Sequence, residues 1–359
     1  MKSVAMLVSN EKRLKLKYKK EADAILKKLE KYKTFLTDEA IETRILLTKK
    51  IEPSDIREEF SSFEKKYLNR KEVYFLIIGG DDIVPFFKLD NPTDDEDDFI
   101  YSDSPYASRD EEYSIPERIV GRLPDINDSE GSDSKFFLSV LDNFIFKHKL
   151  KRDGSKSFGY TASVWKKTSK AVYRVIKKGE KLIITPPVTK DNFEKEWIAK
   201  KRYLYFNLHG SKETNCWYGQ RGFGDPEEYP YFPVAFIPEL VKDVGSSVVF
   251  SEACYGGYIF GKTDSTAISL KFLAENSDLF IGSSAIAYGP IEPPSTEADL
   301  LCKYFFQYVN KGLTYGSAFL NAKIDFAKKM IRTQGFLDED DKKTLIEFNF
   351  FGDPTLRIV

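Results

Sequence analysis

Two stretches decide the fold: Tyr203–Ser211, YLYFNLHGS, and Ser247–Gly257, SVVFSEACYGG. In each, an apolar run passes directly into a polar, glycine-bearing turn. Open parallel sheets bind ligands and present catalytic groups at the carboxyl ends of their strands. Here the residues at those ends are His209 and Cys254.

Working outward, further short apolar runs rich in β-branched residues occur at Val4–Val8, Ile45–Thr48, Val73–Ile78, Leu182–Thr185 and Leu279–Ile281, beside Tyr203–Leu208 and Ser247–Phe250. Most are apolar on both parities, as parallel strands covered on both faces require. Between them lie stretches of helical period. Phe136, Phe137, Val140, Leu141, Phe144 and Ile145 form one stripe, capped by Ser132 or Asp133. Ala298, Leu301, Tyr304, Phe305 and Tyr308 form another, ended by Gly312. Strand–helix alternation of this kind predicts an α/β fold with a mainly parallel sheet flanked by helices.

Lys149–Lys156, KLKRDGSK, is polar, basic and glycine-bearing after a long helix, and is the best internal boundary. It divides the chain into an N-terminal α/β lobe, 1–150, and a second α/β lobe, 151–359, the one that holds His209 and Cys254. The other reading is a single extended sheet with a surface excursion at this point.

The 359 residues carry 55 Lys+Arg against 56 Asp+Glu, so no global field points to nucleic acid or to an anionic membrane. A hydrophobic content of 42% supports a substantial core and excludes a disordered chain. No run approaches the length of a membrane helix, and Val4–Val8 is too short for a signal-peptide core. The three cysteines, Cys216, Cys254 and Cys302, follow no disulfide framework. A reducing, cytoplasmic setting is expected. A nucleotide-binding reading fails on the early glycines: Ile78–Asp82, IGGDD, follows Gly-Gly with two acids, which repel phosphate.

The chemistry suggested by His209 and Cys254 is nucleophilic catalysis. An imidazole beside a thiol accepts its proton or raises its thiolate fraction. Gly210 lets the backbone approach a substrate carbonyl, and its N–H with that of Cys254 is a candidate oxyanion hole; losing one such donor costs ~2.7–4 kcal/mol of transition-state stabilisation. Gly256 and Gly257 allow a tight turn into a following helix, whose N-terminus would favour a thiolate. A strand-end cysteine taken alone is commonly a packing residue. That one of only two histidines occupies the matching position is what favours chemistry.

An apolar block ending in His-Gly, then an apolar block ending in Glu-Ala-Cys, resembles the caspase-like (clan CD) cysteine peptidases, which include caspases, legumains, clostripain and gingipains. Phe75–Pro85 (FLIIGGDDIVP), Ser102–Tyr106 (SDSPY), Ile119–Pro124 (IVGRLP) and Phe350–Ile358 (FFGDPTLRI) look most like the gingipain branch. The resemblance runs from about residue 73 to the end. It implies a caspase-like, gingipain-like α/β fold of two lobes, and hydrolysis of peptide bonds by a Cys–His dyad without cofactor. Asp103 matches the aspartate of the family's Asp-x-x-Tyr segment, which in arginine-specific gingipains sits in the pocket for the residue before the scissile bond. Glu252 matches a legumain residue lining the same pocket. Both acids in one pocket would favour Arg or Lys; the plain alternatives are a turn-forming Asp and a structural Glu. Ser283, Ser284 and Tyr288 follow the last long apolar run and are expected to wall the pocket, with Tyr288 over a basic side chain.

Other groups have quieter readings. A His209–Cys216–Cys254 metal site lacks zinc spacing. Cys302 reads as core, His148 as a solvated partner of a helix end, and Trp165 and Trp197 as packing aromatics. Asp94–Asp98 reads as a solvated loop, a calcium site or an acidic rim that draws basic substrates. Competing with an active enzyme are a silent caspase-like scaffold and a protease awaiting an activating partner or ligand. The expected partner is a protein or peptide substrate, with neither nucleic acid nor membrane.

Overall fold

The computed structural model describes residues 3–67, 72–126, 134–148, 150, 156–176 and 181–358. The strands are β1 (Val4–Ser9), β2 (Glu42–Leu47), β3 (Val73–Ile78), β4 (Phe87–Asp90), β5 (Phe99–Ser102), β6 (Ile119–Leu123) and β7 (Ser157–Ala162). They continue with β8 (Leu182–Thr185), β9 (Tyr203–Asn207), β10 (Trp217–Tyr218), β11 (Val234–Phe236), β12 (Val248–Ser251), β13 (Leu279–Ser283) and β14 (Phe348–Gly352). Ten of them form one sheet in the order β2-β1-β3-β6-β14-β13-β12-β9-β7-β8. Neighbours are parallel throughout except β13 and β14, which are antiparallel. The sheet therefore consists of two parallel blocks of opposite direction, joined edge to edge. Residues before 150 supply β1, β2, β3 and β6, and residues after 150 supply β7, β8, β9, β12 and β13. β14, from the end of the chain, completes the first block and joins it to the second. The expected boundary at Lys149–Lys156 lies mostly outside the described residues.

Strands β1, β7, β9, β12, β13 and β14 are buried along their whole length, because helices cover both faces. Each Val, Ile, Leu or Phe removed from water here contributes roughly 1.5–3 kcal/mol. The helix Lys135–Lys147 buries Phe137, Val140, Leu141, Phe144 and Ile145, the stripe read from the sequence. Its N-cap position is Ser134, while Ser132 and Asp133 lie outside the described residues. The helix Glu297–Asn310 buries Ala298, Leu301, Cys302 and Phe305 as a continuous face. Phe206 of β9 packs at tilted angles on Phe236, Trp217 and Phe272 at centroid distances of 5.1–5.7 Å, giving the strand that leads to His209 a packed base.

Candidate active site

β9 and β12 are adjacent and parallel, with Phe206 opposite Ser251. His209 and Cys254 each lie three residues beyond that pair, so both leave the sheet at one level on neighbouring strands. Gly210 shows how close the two turns come. A Cβ built on it would lie 2.0 Å from the Cys254 carbonyl oxygen and 3.4 Å from Ala253 Cβ. The glycine was expected to admit a substrate carbonyl; it admits the backbone of the cysteine itself. No carbonyl among the described residues accepts from the N–H of Gly210 or of Cys254.

Both the backbone and the ring of His209 are held. Its N–H donates to Tyr218 O at 2.9 Å, and its carbonyl accepts from Tyr218 N at 2.8 Å. The ring lies between Trp165, with centroids 4.4 Å apart, and Phe232, 5.4 Å away edge-on. Its Nε2–H donates to Gln220 Oε1 at 2.7 Å, and Gln220 Nε2 donates to the Tyr231 hydroxyl at 3.2 Å. With Nε2 carrying the hydrogen, Nδ1 is the nitrogen left with a lone pair. Burial lowers the imidazole pKa below its ordinary value of 6.5 and outweighs the opposing hydrogen bond to Gln220. At neutral pH the ring is uncharged and able to accept a proton.

The thiol of Cys254 rests against Ala287. Sγ donates to Ala287 O at 3.5 Å and accepts from Ala287 N at 3.4 Å. Burial pushes its pKa up to about 11, the Ala287 N–H opposing this and nearby Glu347 adding to it. The helix expected after the cysteine does not form there. The chain turns through Tyr255–Gly257, and the next helix is Ile268–Ala274. Gly257 serves packing instead, since its Cβ would lie 2.4 Å from Gly282 O. With no helix end to lower it, the thiol is protonated at rest. A neutral thiol and a neutral imidazole call for general-base activation, not a standing ion pair.

The two acids expected to converge on a pocket do not. Asp103 accepts from Arg122 Nε at 2.8 Å and from Nη2 at 2.6 Å, a bidentate pair with the arginine fully buried. Arg122 Nη1 also donates to the carbonyls of Gly79 and Val84 at 2.7 Å, so the pair ties β6 to the loop after β3. Glu252 accepts from the Tyr205 hydroxyl at 3.0 Å in the interior beneath β12. Burial, with Asp299 nearby, raises its pKa well above the ordinary value. Ser283 Oγ donates to Ala285 O at 2.9 Å, and Ser284 Oγ donates to Tyr101 O at 2.6 Å, both from buried positions that pin the turn after β13. The Tyr288 ring covers a lysine, as its position suggested, but the lysine is the protein's own Lys343, 5.5 Å away.

The acidic run is docked, not free. Asp95 and Asp97 both accept from Lys343 Nζ, at 2.9 Å for Asp97. An ammonium of the chain itself thus lies between the two carboxylates. Among the described residues no group of three or more His, Cys, Asp and Glu is arranged to hold a metal ion. Cys216 lies near Asn215, its Sγ donating to Oδ1 at 3.2 Å, and Cys302 is buried. His148, expected to be solvated, is partly buried, its Nε2 3.1 Å from Asp353 and 3.2 Å from Thr355, where it anchors the C-terminal segment. Trp197 packs on Phe193, with centroids 5.3 Å apart.

Residues 167–359 match the model of peptidase family C25. The chain belongs to this family. A solved structure entitled "Structure of Protease" is similar over 99% of this chain and 78% of its own, with a TM-score of 0.64 and 11% identity. Two structures of the Saccharomyces cerevisiae separase–securin complex align with TM-scores of 0.42 and 0.39 at 10% and 9% identity. They cover 80% and 83% of this chain and 16% and 17% of their own. Comparison with the curated proteins gives no match. C25 is the gingipain family of cysteine peptidases, and the architecture is caspase-like and mainly parallel, as expected.

For a C25 peptidase, the residues that sequence reasoning missed are those surrounding the two it found. Gln220 lies 11 residues beyond His209 in a loop of mixed polarity, with nothing in its spacing to mark it. Trp165 was read as packing, and the surface it packs on is the imidazole. Asp97 was one acid in a run of four Asp and a Glu; its contacts with the turn after Cys254 depend on tertiary structure alone.

Proposed function

We propose that this family member is an active cysteine endopeptidase whose dyad is Cys254 and His209. The observation that carries the reading is the shared level of the two residues on adjacent parallel strands, in backbone contact at Gly210. His209 accepts the thiol proton, and Sγ attacks the scissile carbonyl. The N–H groups of Gly210 and Cys254 stabilise the resulting oxyanion. Collapse expels the amine, protonated by His209, and leaves an acyl-enzyme thioester. Water, deprotonated by His209, then hydrolyses the thioester and frees the thiol. Every step uses groups of this chain and needs no metal.

Cleavage after Arg or Lys is the specificity we propose. Its support is no longer Asp103 and Glu252, whose carboxylates are committed to the interior. It is the acidic loop beside the nucleophile, where Asp94, Glu96 and Asp98 are exposed next to Asp97, which touches Tyr255 and Ile286. Such a rim raises the local concentration of cationic peptides. No described helix is long and apolar enough to cross a membrane, and a protein or peptide in the cytoplasm is the substrate we propose.

A second reading, a protease that awaits an activating partner or ligand, is favoured by one observation. The thiol is hydrogen-bonded to Ala287, not to His209.

A peptide library tests the reading. Wild-type protein is expected to cleave after basic residues. Folded Cys254→Ala should do nothing, and His209→Ala should turn over ~10²–10⁴-fold more slowly. Unchanged turnover by folded Cys254→Ala would remove the dyad, and cleavage after Asp or Asn would remove the basic preference.

A further inference from the structure

The loop between β4 and β5 comes from the first half of the chain, yet it is tied to both sides of the nucleophile. Asp97 Oδ1 accepts from the Tyr255 hydroxyl at 2.6 Å, and Asp97 Oδ2 accepts from the Ile286 N–H at 2.7 Å. Tyr255 is the residue after Cys254, and Ile286 precedes Ala287, whose N–H and carbonyl hold Sγ. One buried carboxylate thus bridges the two segments between which the thiol sits.

The bridge is built to be rigid. Asn91 Nδ2 donates to Asp95 Oδ1 at 2.8 Å and to Asp97 O at 2.9 Å, closing the loop on itself. Lys343, fully buried on the helix Glu339–Glu347, donates to both acids, and Asp95 accepts in turn from the Tyr288 hydroxyl. Tyr255 has a φ of +55°, a left-handed conformation that favours glycine and that a tyrosine keeps only when contacts fix it. Those contacts are its N–H to Ala285 O at 2.8 Å and its hydroxyl to Asp97.

We infer that Asp97 is a positioning residue for Cys254, setting the gap between the Tyr255 turn and the Ile286–Ala287 wall in which the thiol is aimed. The inference rests on the dyad proposed above. It also makes the catalytic half depend on a loop from the other half.

Asp97→Asn tests it. An amide has one acceptor oxygen and cannot serve Tyr255, Ile286 and Lys343 together. We expect kcat to fall about 10²-fold with KM within about threefold of wild type, the split expected when a reacting group is misplaced. The second readout is alkylation of Cys254 by iodoacetamide across pH, followed by mass spectrometry at that residue. Opening the wall admits water, so the thiol should ionise at lower pH and be alkylated faster at pH 8, opposite in direction to turnover. A folded variant with unchanged kcat and an unchanged alkylation profile overturns the role. So does a parallel fall of turnover, alkylation and melting temperature, which marks a merely structural residue. If Asp97→Asn does not fold, Tyr255→Phe removes one hydroxyl from the same contact. It should lower kcat roughly tenfold, and wild-type kinetics there overturn the role. If wild-type protein cleaves no peptide, the functional reading fails, while the alkylation profile still decides whether Asp97 sets the thiol environment.

Discussion

Gln220 hydrogen-bonds the imidazole on Nε2, so the tautomer of His209 depends on a neutral amide and not on a carboxylate. This has a kinetic consequence at the scale of one residue. The base must be uncharged to work, so kcat/KM should rise with pH through the His209 pKa, on an acid limb below 6.5. Gln220→Glu keeps an acceptor for Nε2–H but adds a negative charge that favours the imidazolium. The limb should then move to higher pH by roughly one unit or more. A limb that stays in place in this variant would show that Gln220 does not face the catalytic base. His209 and Cys254 were legible in the sequence because each ends an apolar run and is followed closely by glycine. Gln220 and Asp97 were not, because side chains that act across loops leave no periodic trace.

Elements were legible in proportion to their hydrophobic regularity. β3, VYFLII, and β9, YLYFN, read directly as buried strands. β7, SFGYTA, is equally buried but carries Ser, Gly and Thr, whose hydroxyls find partners inside: Ser157 with Tyr173 and Thr161 with Ser169, each at 2.7 Å. Polarity satisfied internally looks, in sequence, like a surface. β6, IVGRL, hides for a related reason. Arg122 would be expected at the surface, yet it is fully buried because Asp103 neutralises it. That same pairing explains why the pocket acid inferred from resemblance is absent from the site. Two residues that looked like surface and function are one structural ion pair. The helix expected after Cys254 does not form, and Gly257 is used for close approach to Gly282 and not for a turn into a helix.

At the scale of the molecule, two parallel blocks meet at β14, and the interior holds groups whose pKa values are displaced by burial. Glu252, Asp299 and Glu347 are buried, and burial raises the pKa of each, to about 7 for Asp299. An acid with a raised folded pKa binds its proton more tightly in the native state. Stability from these groups is therefore full at low pH and declines as pH rises from the free carboxyl range toward the raised values. His209, with a lowered pKa, works the other way below 6.5. So does Lys323, which burial pushes down to about 7 and which destabilises as pH falls toward that value. Between pH 7 and 5.5 the three acids gain stability and only His209 opposes them, since the Lys323 window lies above about 7. The melting temperature should be higher at pH 5.5 than at pH 7, by about 3 °C or more. A lower melting temperature at pH 5.5 would mean that these carboxyls are ionised in the fold.

The account as a whole turns on whether the strand-end cysteine is the nucleophile, and covalent labelling measures this directly. The protein is treated with a peptidyl chloromethyl ketone bearing Arg before the reactive group, and the adduct is mapped by mass spectrometry across Cys216, Cys254 and Cys302. The account predicts one adduct, on Cys254, formed in step with loss of peptidase activity and strongly slowed in His209→Ala. Activity lost through an adduct on Cys216 or Cys302, with Cys254 unmodified, would contradict it.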